Sequence, residues 1–190
     1  HGAAGNQRTA AMIVDSSGRV DAARYLASGN CDERPPGVAI TLLVIHNISL
    51  PPGEFGGDGI ERLFTNALDY AAHPYYRTLS GVRVSTHFLI RRSGELLQFV
   101  PCTERAWHAG VSAWHGRSAC NDFSIGIELE GADNLPFADA QYRVLAELAR
   151  VLRSTYPIAD IVGHSDIAPE RKTDPGPSFD WIRLRRSIEY

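Results

Sequence analysis

The stretch that most constrains this chain is Val38-Ala39-Ile40-Thr41-Leu42-Leu43-Val44-Ile45-His46. It is almost continuously apolar and rich in β-branched side chains, the pattern of a strand covered on both faces. Such a strand belongs at the centre of a sheet with other elements packed against it, so the run predicts an α/β fold. His46 stands at its C-terminal end, where the chain passes into a Gly- and Pro-rich loop, Ser49 to Gly57. In open α/β sheets, ligands bind at such strand ends.

After that loop a helix is expected, with Ile60, Leu63, Phe64, Ala67 and Leu68 on one stripe. Val82 to Ile90 reads as a second strand, Arg92-Ser93-Gly94-Glu95 as a turn, and Leu96 to Val100 as the returning hairpin partner. Residues 101–122 have few aliphatic side chains and read as a long loop. Phe123 to Glu130 alternates: Phe123, Ile125, Ile127 and Leu129 share one face, and Ser124, Gly126, Glu128 and Glu130 share the other. The longest helix is predicted from Asp139 to Ser154, with Val144, Leu145, Leu148, Val151 and Leu152 facing the core. Ile161-Val162 makes a short strand, and Phe179 to Ile188 a short basic helix. Residues 1–37 read as an ordered arm with one short strand at Met12-Ile13-Val14, and residues 1–11 as a tag or a disordered arm.

No repeat or low-complexity linker divides the 190 residues, so residues 1–190 form one domain. At 44% hydrophobic and 22% charged, that domain can bury a substantial core without staples. The formal net charge of −3 gives no electrostatic reason to bind nucleic acid or an anionic membrane. No apolar run approaches the roughly 20 residues of a membrane span. Cys31, Cys102 and Cys120 are widely spaced with no C-x-x-C pair, and read as the reduced thiols of a cytosolic protein. His1 to Gly5 has neither the basic nor the apolar region of a signal peptide.

The chemistry concentrates near the C-terminus, from Gly163-His164-Ser165-Asp166 to Arg171-Lys172-Thr173-Asp174-Pro175-Gly176. Pro169, Pro175 and Pro177 fix φ and lack an N–H, so this loop is irregular yet rigid. Polar residues held in such a loop point to a site. His46, His164 and Asp174 are of the types a catalytic zinc takes, about three from the protein with one position left for water. The chain has seven histidines, and any one taken alone fits a surface or core role as well as a metal. Glu128 is sharper: Ser124 and Gly126 leave open space beside it, room for a carboxylate that moves protons. The same face also fits ordinary solvated acids. Lys172 could steady a developing oxyanion. His87 reads as a hydrogen-bonded core histidine, and His108 and His115 as cleft walls with Trp107 and Trp114. Ser165 has no G-x-S-x-G setting.

Four stretches together resemble the AmpD-type anhydro-N-acetylmuramoyl-L-alanine amidases over residues 12–185: Leu43 through Gly57, Arg105 through Ser112, Cys120 through Gly131, and Gly163-His164 through Pro177. The resemblance implies a central mixed β-sheet flanked by helices, a fold related to phage lysozyme-like amidases and peptidoglycan recognition proteins. It implies zinc held by His46, His164 and Asp174, a catalytic carboxylate at Glu128 and an oxyanion-stabilising Lys172. Substrate contacts would fall on Asn47, Arg83, Ala106 and Trp107. The implied substrate is an anhydromuropeptide, cut between the lactyl group and L-alanine by a cytoplasmic monomer. That reaction belongs to peptidoglycan recycling and limits the muropeptide signal for β-lactamase induction.

Two positions depart from the family pattern. Ser165 stands where family members carry a cysteine, and Ala119 where they often carry a basic residue, so another arginine such as Arg117 would have to hold a stem-peptide carboxylate. Two other readings use the same fold: a periplasmic amidase acting broadly on cell wall, and a peptidoglycan-binding module without catalysis. Intact ligand positions and Glu128 argue against the module; the absence of a visible export signal argues against the periplasmic enzyme.

Overall fold

The computed structural model describes residues 11–189. The chain runs through β1 (Arg24–Tyr25) and β2 (Cys31–Glu33) into β3 (Leu42–Ile48), which is the apolar run. Helices α1 (Gly59–Phe64) and α2 (Pro74–Arg77) follow, then β4 (Phe88–Ile90) and β5 (Leu96–Gln98). The short strands β6 (Glu104–Ala106), β7 (Ala113–Trp114) and β8 (Arg117–Ser118) lead to a 3-10 turn at Cys120–Asp122 and to β9 (Ser124–Glu130). The long α3 (Asp139–Thr155), β10 (Asp160–Gly163), α4 (His164–Ile167) and α5 (Trp181–Ile188) complete the fold.

Six strands form one mixed sheet in the order β1-β5-β4-β9-β3-β10. β3 lies between β9 and β10 and is parallel to both; β4 is parallel to β9 and antiparallel to β5. From Ser124 on, the alternation of β9 sorts its side chains as the sequence predicts, but Phe123, expected on the same face as Ile125, closes the preceding 3-10 turn at ψ 14° and packs on the other side with Leu42 and Val44. Ile125, Ile127 and Leu129 pack with Leu43 and Ile45 of β3 against Leu145, Leu148, Ala149 and Leu152 of α3. Each such aliphatic side chain contributes roughly 1.5–3 kcal/mol by leaving water. The opposite face holds two separate apolar clusters. One joins Leu89, Leu97 and Phe99 to Ile60, Leu63 and Phe64 of α1, and the other gathers Leu42, Val44, Phe123 and Ile167. The polar residues of β9 run between them.

Several expected boundaries move, each for a local reason. Met12-Ile13-Val14 is not a strand; only Val14 bridges to Val20, and the arm pairs instead through β1 on β5 and β2 on β6. α1 stops at Phe64 rather than Leu68, because Asn66 turns to φ 59°. Leu68 is still buried, whereas Ala67 is exposed. Residues 82–87 do not join the ladder, because Gly126 N–H donates to the His87 Nδ1 at 3.0 Å instead of to a backbone carbonyl of that segment. Residues 101–122 are not one loop: β6 pairs with β2, and β7 with β8. The last helix begins at Trp181 because the Asp180 carboxylate caps it, accepting from Arg183 N–H at 2.9 Å. Cys31, Cys102 and Cys120 are all free thiols. Residues 1–10 lie outside the described residues. Among the described residues no helix is long and apolar enough to cross a membrane.

Candidate active site

Register brings the first two candidates together. His46 of β3 is paired with Glu128 of β9, and in a parallel pair such neighbours project to the same face. On the other side of β3, Gly163 of β10 is paired with Ile45, so the next residue, His164, arrives beside His46. Asp174 returns to the same point through the rigid loop, pinned where Ser165 N–H donates to the Asp174 carbonyl at 3.0 Å. Gly163 is required for that return, since a Cβ there would lie 2.8 Å from Pro175 Cδ.

Three donor atoms converge on one small space. His46 Nδ1 lies 3.0 Å from His164 Nδ1 and 3.1 Å from Asp174 Oδ2, and His164 Nδ1 lies 3.3 Å from Asp174 Oδ2. Ligands at about 2.0–2.1 Å from a tetrahedral zinc sit about 3.3 Å apart, so the spacing and the His, His, Asp donor set both fit that ion. The far nitrogens are engaged as well. His164 Nε2 donates to the Ala109 carbonyl at 3.0 Å, and His46 Nε2 meets His108 Nδ1 at 2.9 Å.

Glu128 stands beside this cluster, with Oε1 3.8 Å from His46 Nδ1 and Oε2 buried without a hydrogen-bond partner. Burial, reinforced by the neighbouring Asp174, pushes its carboxyl well above the usual range; Lys172 pulls it the other way. Burial also raises Asp174, but hydrogen bonds from His164 and His46 outweigh it and hold that carboxylate well below its ordinary value. For His46, burial dominates over Asp174 and lowers the imidazole. Two carboxyl groups a few ångströms apart are thus driven in opposite directions, as at sites that separate proton transfer from ligation.

These groups open on a cleft of about 520 Å³. Asn47, Trp107 and Lys172 line it, as do His108, Arg171 of the C-terminal loop and, among residues with no signal in the sequence, Tyr75 and Asp133. Asn47 is partly committed: its Nδ2 donates to Asp133 Oδ1 at 2.6 Å and to the Pro175 carbonyl at 3.0 Å. Ala106 is completely buried in the α1-side core, and Arg83 is exposed and does not line the cleft. His115 and Trp114 meet edge-to-face away from it, with Trp114 Nε1 donating to Asp160 at 3.1 Å. His87 is a buried histidine with both ring nitrogens hydrogen-bonded, accepting from Gly126 N–H and donating to the Glu104 carbonyl at 2.8 Å.

The sequence carried no sign of Arg34. From the N-terminal arm its guanidinium reaches the carbonyls of Cys102, Asn121, Asp122 and Ser124 at 2.8–3.2 Å, with no carboxylate among these partners. Burial lowers it to about 10. It ties the arm to the start of β9, directly behind the histidines. The space expected beside Glu128 at Gly126 is not open: the His108 ring fills it, and a Cβ there would lie 2.6 Å from His108 Cγ.

Comparison with known proteins agrees with this geometry. Residues 36–177 match the family model described as N-acetylmuramoyl-L-alanine amidase. The chain is 58% identical over 165 residues to the 1,6-anhydro-N-acetylmuramyl-L-alanine amidase AmpD of Escherichia coli, covering 86% of this chain and 90% of that protein. To AmpD of Citrobacter freundii it is 56% identical over 179 residues, 93% of this chain and 95% of the relative. A crystal structure of a selenomethionine derivative of AmpD superposes with a TM-score of 0.91 at 56% identity, covering 93% of this chain and 99% of that one. A complex of the E. coli amidase AmiD with anhydro-N-acetylmuramic acid-L-Ala-D-γ-Glu-L-Lys superposes at 0.57 with 32% identity, covering 83% and 65%.

Proposed function

Because the chain belongs to the N-acetylmuramoyl-L-alanine amidase family, we propose that it hydrolyses the amide joining the lactyl group of 1,6-anhydro-N-acetylmuramic acid to L-alanine of the stem peptide. The observation that carries this reading is the convergence of His46, His164 and Asp174 beside a buried, unpartnered Glu128 at the floor of an open cleft. Relatives at 50–58% identity that bear the anhydromuramyl amidase name support the substrate class. The reading extends to peptidoglycan recycling by a cytoplasmic monomer, and so to lowering the muropeptide signal that induces β-lactamase.

In this reading His46, His164 and Asp174 hold zinc, which when bound supplies Lewis acidity to the scissile carbonyl and to a water nucleophile. Glu128 takes the proton of the attacking water and returns it to the departing alanine nitrogen. Its buried position suits the second step, because desolvation raises the carboxyl's affinity for the proton and so keeps it on Glu128 until the amine nitrogen departs. Lys172 favours the ionised carboxylate needed for the first step and places positive charge where the oxyanion grows. Asn47 and Trp107 contact the substrate along the cleft, the first through polar groups and the second through its ring face. The other two expected contacts are less well placed, since Ala106 is buried in the core and Arg83 is exposed outside the cleft lining.

Incubation of the zinc-loaded protein with anhydromuropeptide, beside a chelated control, tests the reading by mass spectrometry. The expected products are free L-alanyl peptide and the anhydro-sugar, formed only with metal. No cleavage at full zinc occupancy would overturn it in favour of a binding module. Faster release from intact sacculi than from anhydromuropeptide would favour the broad cell-wall enzyme.

A further inference from the structure

Two consecutive residues, His108 and Ala109, stand behind the two histidines of the candidate metal cluster. The Ala109 carbonyl can only accept a hydrogen bond, so His164 carries its hydrogen on Nε2, 3.0 Å away, and its Nδ1 lone pair faces the cluster. His46 has no carbonyl behind it. Its Nε2 instead meets the Nδ1 of His108 at 2.9 Å, with the two rings nearly perpendicular and their centroids 5.1 Å apart. The second nitrogen of His108 lies 3.0 Å from Ser124 Oγ. For His46 to present a lone pair through Nδ1, its hydrogen must sit on Nε2 and be accepted by His108. The hydrogen of His108 then sits on its own Nε2 and is accepted by the Ser124 hydroxyl. Every link of that chain has one donor and one acceptor.

The placement of His108 is built, not incidental. Its ring presses on the backbone of β9 at Gly126, where an added Cβ would come within 2.6 Å of His108 Cγ. The segment itself is fixed by a single atom: Asn121 Oδ1 accepts from His108 N–H at 3.1 Å and from Ala109 N–H at 2.9 Å. Arg171 adds a further bond to the Ala109 carbonyl, at 2.7 Å.

We propose that His108 is a positioning residue, and that the His108-Ala109 segment, held by Asn121, fixes which ring nitrogen each ligand histidine offers to the metal. This rests on the reading of His46 and His164 as ligands. Partners that orient a ligating imidazole typically change metal affinity by 10–100-fold when lost.

The test measures zinc affinity by competition with a chelator of known strength, together with the thermal midpoint of the metal-free protein. It compares wild type, His108→Leu, His108→Asn, Asn121→Ala and His46→Ala, all in the full chain. His108→Leu fills the space without an acceptor and is expected to weaken zinc binding 10–100-fold with an unchanged or raised metal-free midpoint. His108→Asn puts an amide oxygen near the place of Nδ1 and is expected to stay within a few-fold of wild type. Asn121→Ala, which loosens the support of both ligands, is expected to weaken zinc at least as far as His108→Leu does. It also keeps the test open if the leucine variant fails to fold. Equal zinc affinity in wild type and His108→Leu, or a loss in both His108 variants that tracks a fall in the metal-free midpoint, would reduce His108 to packing and overturn the proposal. A His46→Ala protein that binds zinc as wild type does would overturn the ligand reading and this one with it. Dependence on His46 combined with indifference to His108 overturns this one alone.

Discussion

The two faces of the central sheet are equally buried and built on opposite terms. Toward α3, β3 and β9 present Leu43, Ile45, Ile125, Ile127 and Leu129, all aliphatic and all at most 1% exposed. On the opposite face the same two strands carry, beside Leu42 and Val44 of β3, a run of His46, Ser124, Gly126, Glu128 and Glu130, and these polar side chains are likewise buried. Contacts on the first face are non-directional, so any side chain of similar volume serves. Those on the second are directional, and each needs a partner from a distant part of the chain. Glu130 finds Arg91, Arg92 N–H and Gly56 N–H, at 2.9–3.1 Å. The Ser124 hydroxyl finds His108 Nε2 at 3.0 Å. Glu128 Oε2 finds none, and that exception marks the chemistry.

Removing Glu128 tests the contrast most severely. Glu128→Ala should lower turnover by on the order of 10²–10⁴ while zinc content stays unchanged. Its thermal midpoint should hold or rise, because a buried oxygen without a partner is lost. A kinetic assay beside differential scanning calorimetry checks both, and unimpaired turnover would take Glu128 out of the reaction. On the other face the expectation reverses. Leu148→Ala removes an unexposed α3 side chain and should cost about 2–5 kcal/mol in urea unfolding, with kcat of the folded fraction unaltered. A matching fall in kcat would mean that the two faces are coupled.

Acid sharpens the comparison on a smaller scale. His87 sits on the polar side of β9 with its pKa lowered to about 3 by burial, and further by Arg34. Because the unfolded chain takes up this proton first, near pH 6.5, stability is fully present above that pH and is lost as pH falls toward about 3. The expected slope from this one group is on the order of 1 kcal/mol per pH unit. In His87→Asn, whose side-chain oxygen can still accept from Gly126 N–H, urea midpoints between pH 6 and 4 should fall less steeply than in wild type. Parallel slopes would show that His87 does not carry the effect.

The same division explains what was legible in the sequence. The apolar face was readable because alternation in β9 and the 3.6-residue stripe of α3 are local patterns that burial enforces; α3 spans Asp139–Thr155, one residue beyond the expected end. Short elements whose partners are remote were not readable. β6 exists because Cys31–Glu33 lies opposite it, and β4 begins late because a histidine ring takes the place of a backbone acceptor. At the site, motif resemblance named His46, Glu128, His164 and Asp174, and the parallel register of β9, β3 and β10 is what brings the first three side by side. Nothing in the run of residues 1–37 announced that Arg34 would be spent on four backbone carbonyls behind the cluster. The Asn121 contact was equally silent, since its oxygen serves two amides more than ten residues back.

The edge position of β10 has a consequence for biosynthesis. His164 follows His46 by 118 residues, and at about 5–20 residues per second of synthesis the second imidazole emerges roughly 6–24 s after the first. Through most of that interval β3 lacks β9, which is complete only at Glu130, and until its close β3 lacks β10, so His46 stands without a second ligand of the proposed set on the nascent chain. On the proposed ligand set, ion capture therefore belongs to the finished polypeptide, and the last third of the chain decides when an emerging protein becomes an enzyme.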